Sequence, residues 1–432
     1  MKHLTYRLSI YIQERIVSVC YVVIALSVSL SAYADTTQLN SLTPDQSNLL
    51  GAYLSRVGNC MGCHTAKDGV NFAGGREMYT SFGIFITPNI TPDKKTGIGL
   101  WSREDFWRAL HLGESRNGRM LYPSFPYTEY TKISRKDADA IFDYLMSLDP
   151  VSKVNPSNDV YFPYNLNALL YAWRELYFKE GIYEPNHSKS KEWNRGAYLV
   201  QGLGHCRACH SSRNLLGASQ KEKFIGKKMT GANWYAPSLI SRLEAGSGEL
   251  KISEITELLT SGITKRAVAS GHMATVIRQS LQFLLPDDVR AIAIYLKSIG
   301  IENSDAASAE SFPVLSKDVR SQLAQGGKLY EKYCEDCHQS SGKGVPGIYP
   351  PLAGNRSVTM VSPLNTILSV MNGGFPPTTT GNPRPYGMPP FQQIFRDEEI
   401  ALVVSYIRNA WGNHGSMVTE IDIDRSRSGN GN

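Results

Sequence analysis

Read as hydrophobic and polar positions, the chain of 432 residues opens on a basic leader, with Lys2, Arg7 and Arg15 around Glu14. An apolar run from Ile16 to Leu30 follows, then Ala32-Tyr33-Ala34, a small-x-small pattern, before Asp35. The run is shorter than the about 20 residues that a membrane span needs. It predicts a secretory signal peptide over residues 1–34, with an uncleaved anchor as the alternative. Beyond it, three amphipathic stretches predict helices of one design. In each, an acid stands seven residues before a tyrosine: Asp137 with Tyr144, Asp288 with Tyr295, Glu399 with Tyr406. An aliphatic residue follows each tyrosine, and Ser134 with Asp137 has capping spacing at the start of the first. Ahead of each such helix, by about a hundred residues or fewer, lies a shorter helical stretch that pairs glycine with an aromatic. These are Gly51-Ala52-Tyr53-Leu54, Gly196-Ala197-Tyr198-Leu199 and Gly327-Lys328-Leu329-Tyr330.

Cysteine changes the picture most. Six of the seven cysteines fall in three copies of Cys-x-x-Cys-His, directly after the three glycine-aromatic stretches: Cys60-Cys63-His64, Cys206-Cys209-His210 and Cys334-Cys337-His338. The seventh, Cys20, lies in the leader. A low-pKa redox dithiol or a zinc site also uses Cys-x-x-Cys, but a zinc site takes four ligands, commonly two pairs, and three pairs leave an odd one. A c-type haem uses both thiols as thioether anchors and the next histidine as the proximal iron ligand, and it alone requires that histidine. Histidine is scarce, nine in the whole chain, so its threefold recurrence in this slot favours three covalently bound haem c groups. Cysteines three apart on a helical turn put both sulfurs on one face.

Helix, haem motif, irregular loop and closing helix make up a small unit, so the fold class expected is mainly α, with three tandem class I cytochrome c domains, each built around one covalent haem. Their expected extents are 40–152, 190–301 and 315–413. Each proximal histidine is expected to donate its second ring nitrogen to a backbone carbonyl, with Pro88, Pro237 and Pro351 as candidates. The second axial ligand is expected from the loop before the closing helix, as a methionine thioether. Met388 in Tyr386-Gly387-Met388-Pro389-Pro390 suits the third unit and Met273 the second, with His272 as competitor. The first offers only Met120; otherwise its iron is five-coordinate or takes another group.

The stretch 153–189 reads as a linker with an unusually aromatic helix around Leu169–Phe178, either packed between units or presented to a partner subunit or membrane. Residues 414–432 end in a polar, Gly-rich run and are expected to be disordered. The formal charge is +6, falling to +4 without the leader, which is no nucleic-acid balance. There is no dinucleotide fingerprint and no coherent acid/base pair, so no catalytic residue is assigned.

The segments ITPNITPD, TGIGLWSREDFWRAL, LYPSFPYTEYTK, EWNRGAYLVQGLGHCRACH, NWYAPSL and GMPPF give the chain a specific identity. It resembles the three-haem cytochrome c subunit of membrane-bound periplasmic dehydrogenases, such as alcohol dehydrogenase and gluconate 2-dehydrogenase, over nearly its whole mature length. The resemblance implies a location on the periplasmic side of the inner membrane. It implies a separate catalytic subunit, a flavoprotein, quinoprotein or molybdoprotein, whose electrons pass through the haems to ubiquinone. It supports Met273 and Met388 as ligands and departs from the pattern at Phe125, where many members have methionine. Members with phenylalanine there include cytochromes that look like partners of molybdenum aldehyde or N-heterocycle hydroxylases. A haem peroxidase-like enzyme with an open first haem and a free periplasmic shuttle are the remaining alternatives.

Overall fold

The computed structural model describes residues 43–219, 224–229, 231, 233–302 and 316–428; the leader and Cys20 lie outside them. Two compact units are distinguished, Met1–Ser47 and Asn48–Asn432. In the first, Thr43 and Gln46 form a reciprocal cap: Thr43 N–H donates to Gln46 Oε1 at 3.1 Å, and Gln46 N–H to Thr43 Oγ1 at 3.3 Å.

The second unit carries all three motifs, and the same element order recurs around each. Around the first lie α1 (Pro44–Val57), α2 (Arg103–Leu112) and the closing helix α3 (Arg135–Met146). A linker helix, α4 (Asn167–Tyr177), leads to α5 (Lys191–Tyr198), α6 (Ile252–Ser261), α7 (Gly271–Gln279) and the closing α8 (Pro286–Glu302). The last set is α9 (Lys317–Tyr333), α10 (Leu364–Asn372) and the closing α11 (Asp397–Asn409). Polar caps set the helix starts: Ser102 and Asp105 form a capping box on α2, and Ser134 accepts from Asp137 N–H on α3 as its spacing predicts.

In each set the helix before the motif crosses the closing helix at a glycine. A Cβ on Gly51 would lie 1.9 Å from the Ala140 carbonyl, one on Gly196 2.0 Å from that of Ala291, and one on Gly326 2.2 Å from that of Leu402. Only a residue without Cβ lets the two backbones approach that closely. The third crossing uses Gly326, one residue before the glycine of the Gly327–Tyr330 stretch. Gly327 faces the Tyr406 ring at 3.1 Å instead, because α9 reaches its motif with fewer residues after the crossing. The second set accommodates the opposite change, a longer lead-in, as a π-helical turn at Leu199–Leu203.

Among the described residues, two apolar cores stand where separate units would require three. One unites the first two sets, with Leu54, Val57, Ile133, Leu199 and Leu203 all nearly inaccessible, and the other belongs to the third set. The first two sets also exchange a matched pair of hydrogen bonds. Tyr53 on α1 donates to Asp288 of α8 at 2.6 Å, and Tyr198 on α5 donates to Asp137 of α3 at 2.5 Å. Glu399, third in the acid-tyrosine series, instead accepts from Arg396 N–H at 2.9 Å and caps its own helix. The third set joins the second through Asn365, whose side chain exchanges two hydrogen bonds, 2.9 and 2.7 Å, with the backbone of Tyr235.

Short strands occur where only irregular loops were expected. β1 (Glu77–Thr80), β2 (Gly83–Ile86) and β3 (Asp159–Val160) form an antiparallel sheet, and β4 (Lys227–Met229) pairs with β5 (Trp234–Ala236). β3 is the start of the aromatic linker. Of α4, only Leu170 is buried; Leu169, Tyr171, Leu176 and Tyr177 are exposed. The tail is also corrected. Residues Glu420–Ser428 form α12, and Val418 and Ile423 are buried in the second core. A Thr419–Asp422 turn starts that helix, with Thr419 N–H donating to Asp422 Oδ2 at 2.9 Å.

Candidate functional site

Each Cys-x-x-Cys-His motif occupies a single helical turn: Cys60–Cys63, Arg207–His210 and Glu335–His338. The backbone before the first cysteine is left-handed in two of them, at Asn59 (φ 49°) and His205 (φ 37°). That bend ends the incoming helix and starts the motif turn. Desolvation by burial pushes the Cys60 and Cys206 thiols up to about 12 and Cys334 up to about 11. A redox dithiol needs a depressed thiol pKa, so burial of this kind argues against that chemistry. Among the described residues no three His, Cys, Asp or Glu side chains gather as a metal site by themselves, so a zinc reading gains no support from the fold.

The histidines are held as iron ligands need to be. Nδ1 of His64 lies 2.8 Å from the Pro88 carbonyl, Nδ1 of His210 2.8 Å from that of Pro237, and Nδ1 of His338 3.0 Å from that of Pro350. A carbonyl only accepts, so Nδ1 carries the proton in all three and Nε2 keeps its lone pair. Burial lowers all three imidazole pKa values, which favours the neutral, ligating form. The third acceptor is Pro350 rather than Pro351. Pro350-Pro351-Leu352 thereby keeps the Pro-x-apolar spacing of the other two sites, and Leu352 and Ala353 N–H both bond to Gly342 O, at 2.7 and 2.9 Å, which fixes this loop.

Two side chains that sequence reasoning passed over hold the accepting carbonyls in place. Asn89, directly after Pro88, is 3 % exposed. Its amide donates to Val151 O (2.7 Å) and Thr96 Oγ1 (3.0 Å), and its oxygen accepts from Thr91 N–H (2.9 Å) and Oγ1 (2.8 Å). Ser238, directly after Pro237, donates to Phe224 O at 3.0 Å and accepts from Ser241 N–H at 3.0 Å. A buried polar residue directly after a ligand-orienting proline was the available signal.

The first two motifs face one another. His205 Nε2 lies 3.2 Å from Gly58 O, Tyr130 donates to the same carbonyl at 3.3 Å, and the Tyr130 and His205 rings meet edge-on at 5.5 Å. Arg207 pairs with the buried Glu129 at 3.4 Å. Cations also back the two motifs in matching fashion: Arg76 donates to Gly62 O, and Lys227 to Ala208 O at 2.8 Å. Burial, with the Arg213 charge nearby, pushes Lys227 down to about 8.

Of the methionines singled out by sequence, Met273 packs against the first core and Met388 against the second. Met120 belongs to neither core; it forms an isolated bridge with Glu114. Phe125, five residues on, packs into the first core with its ring 5.4 Å from Tyr130.

The donor set is therefore a neutral histidine oriented by a carbonyl beside two cysteines, three times over, with His338 and Cys334 buried and the others half-buried. The buried polar atoms Asn59 Oδ1, Arg207 Nε, Ser211 Oγ and Ser212 Oγ, all within two residues of the first two motifs, have no hydrogen-bond partner in the protein. These features fit a covalently attached haem c at the motif.

The sequence model of the Cytochrome c family matches residues 37–149 and 323–411. The chain is 34% identical over 393 residues to the cytochrome c subunit of alcohol dehydrogenase (quinone) from Gluconobacter oxydans, covering 88% of this chain and 81% of that protein. It is 33% identical over 408 residues to the gluconate 2-dehydrogenase cytochrome c subunit of Pantoea cypripedii, covering 90% and 92%. The chain belongs to this family of dehydrogenase cytochrome c subunits. As a member of the family it has covalently bound haem c as its prosthetic group. It is also 39% identical over 364 residues to a nicotinate dehydrogenase subunit of Pseudomonas putida. That match covers 83% of this cytochrome subunit but spans only 30% of the nicotinate protein.

Proposed function

We propose that this chain is the electron-transfer subunit of a membrane-bound periplasmic dehydrogenase of the alcohol or gluconate 2-dehydrogenase type. It carries three haem c groups and passes electrons from a separate catalytic subunit to ubiquinone. One observation carries the reading: the same cysteine pair and carbonyl-oriented histidine recur three times in a chain that matches such subunits nearly end to end. Each haem supplies reversible one-electron chemistry at its iron.

The chain's own residues do the rest. Cys60, Cys63, Cys206, Cys209, Cys334 and Cys337 are the thioether anchors. His64, His210 and His338 are the proximal ligands, oriented by Pro88, Pro237 and Pro350. Met273 and Met388 would hold the iron as thioether ligands in two of the units, a donor type that would raise their potentials. The units span 40–152, 190–301 and 315–413, behind a signal peptide over 1–34. The exposed aromatic face of 161–177 is the surface offered to the catalytic subunit or the membrane. No helix among the described residues is long and apolar enough to cross a membrane, so attachment through a surface is part of the reading.

A second reading, supported by the 39% identity to the nicotinate dehydrogenase subunit and by Phe125, pairs the same wire with a molybdenum hydroxylase acting on an aldehyde or N-heterocycle. Isolating the tagged protein from membranes and identifying what accompanies it by mass spectrometry separates the two. A flavoprotein or quinoprotein dehydrogenase supports the first reading, and a molybdoprotein the second. A lone protein that no ubiquinone analogue reoxidises overturns both.

A further inference from the structure

The three loops that lead into the closing helices are built alike but end in different side chains. Each starts at a helix capped by a left-handed glycine: Gly113 (φ 65°), Gly262 (φ 76°) and Gly373 (φ 62°). Each then closes with an isolated bridge, Glu114 with Met120, Ile263 with Val268 and Gly374 with Met388, the third loop holding a second, Thr379 with Asn382, inside it. The first two loops share a further bond that fixes their register: Leu121 N–H to Gly113 O at 2.7 Å, and Ala269 N–H to Gly262 O at 2.8 Å. From that common point, the fifth residue past the bridge is Phe125 in the first loop and Met273 in the second.

The third loop is longer and is better compared from its other end. Met388 stands eight residues before the N-cap Arg396, and Phe125 nine before the N-cap Ser134; each is followed by proline. The first count arrives at Phe125; the second falls one residue beyond it, at Pro126, and aligns with Phe125 only through the proline that follows each residue. Packing agrees, since Phe125, Met273 and Met388 all join an apolar core and Met120 joins none. Phe125 also touches Tyr130, whose hydroxyl donates to Gly58 O two residues before Cys60. A phenyl ring has no lone pair to give to iron.

We infer that the first site keeps an exchangeable axial position, screened by Phe125, and takes a small neutral diatomic ligand there, while Met273 and Met388 close the other two. The screen is apolar, so it favours a neutral ligand over an anion that would lose its hydration without compensation. Met120 is then a loop residue with no role at the iron.

The inference rests on the three-haem reading, and the test separates the two. The holoprotein is purified, its haem counted as the pyridine haemochrome, and the dithionite-reduced form titrated with carbon monoxide, with uptake read from the Soret band. Wild type is expected to take up about one carbon monoxide per chain, the single site not closed by a thioether. Phe125→Met is expected to abolish uptake, whereas Phe125→Leu and Met120→Leu retain it. Three haems with no uptake by wild type, or uptake that appears only in Met120→Leu, overturns the inference alone. Fewer than three haems overturns the reading beneath it.

Discussion

The matched tyrosine-aspartate contacts between the first two helix sets can be broken with a one-atom change at Asp288. This carboxylate is 7 % exposed. It accepts from the Tyr53 hydroxyl at 2.6 Å and from Arg195 Nε and Nη2, both at 2.7 Å. A hydrogen bond to a buried charged acceptor contributes about 1.5–3 kcal/mol. A fully buried ion pair would cost about 3–5 kcal/mol to break. The Arg195 side chain, however, is 38% exposed, so solvent screening reduces its share to about 1 kcal/mol. Asn at 288 keeps a weaker acceptor, and Asp288→Asn is therefore expected to lower stability by about 2–3 kcal/mol. Tyr53→Phe should lower it by about 1–2 kcal/mol, with a coupling of about 1 kcal/mol in the double mutant.

Burial alone would raise the Asp288 carboxyl pKa, but the hydrogen bonds from Arg195 and Tyr53 and the Arg195 charge outweigh it and hold it below the usual carboxylate range. A depressed carboxyl stabilises the fold above its unfolded pKa and loses that contribution as pH falls through the folded one. The gap between wild type and Asp288→Asn should therefore be flat at neutral pH and close below about pH 4. Urea unfolding of the holoprotein followed by far-ultraviolet circular dichroism, at a series of pH values, measures both. A variant within about 0.5 kcal/mol of wild type at pH 7, or a double-mutant cycle with no coupling, refutes the role given to this junction.

Three further outcomes follow from the same geometry. Gly326→Ala places a Cβ 2.2 Å from the Leu402 carbonyl and should prevent stable haem loading of the third site, whereas Gly327→Ala, 3.1 Å from the edge of the Tyr406 ring, should be tolerated; haem-stained gels of limited-proteolysis fragments distinguish them. Asn89→Ala removes four hydrogen bonds beside Pro88 and should cost about 2–3 kcal/mol. By weakening the His64 Nδ1 bond it makes that imidazole less basic, so in a spectroelectrochemical titration one haem potential should rise while the others stay in place. Arg408 is inaccessible and donates to Val358 O (2.6 Å), Met360 O (3.0 Å) and Ser416 O (3.0 Å). Arg408→Met leaves these carbonyls without a donor, should cost about 2–3 kcal/mol and make the stretch after residue 413 the first point of tryptic cleavage; unchanged cleavage there would contradict its bracing role.

Much of the candidate site was legible because its chemistry is local. Cysteine pair and histidine lie within five residues of one another, and a helical turn suffices to arrange them. The carbonyl partners of His64 and His210 were named correctly from proline spacing, but the third was placed one residue late. Pro350 and Pro351 are adjacent, and which of them faces the histidine depends on Gly342 across the loop. The crossing glycine of the third set was not legible at all: Gly326 and Gly327 are adjacent, and only the partner helix selects between them. The tail looked disordered because its last residues are polar. What orders α12 is Val418 and Ile423 docking into a core made by α9, α10 and α11.

By itself the sequence determined the number and place of the Cys-x-x-Cys-His motifs, the helical repeat around them and the candidates for axial ligation. Those signals sit within a turn or two of helix, where side-chain spacing is set by the backbone. Tertiary structure alone decided that the first two sets share one core while the third keeps its own. It also decided that Asp137 and Asp288 reach across to tyrosines of the opposite set while Glu399 caps its own helix. The three acids look equivalent along the chain. They differ only in what lies opposite, and that depends on how helices distant in sequence pack.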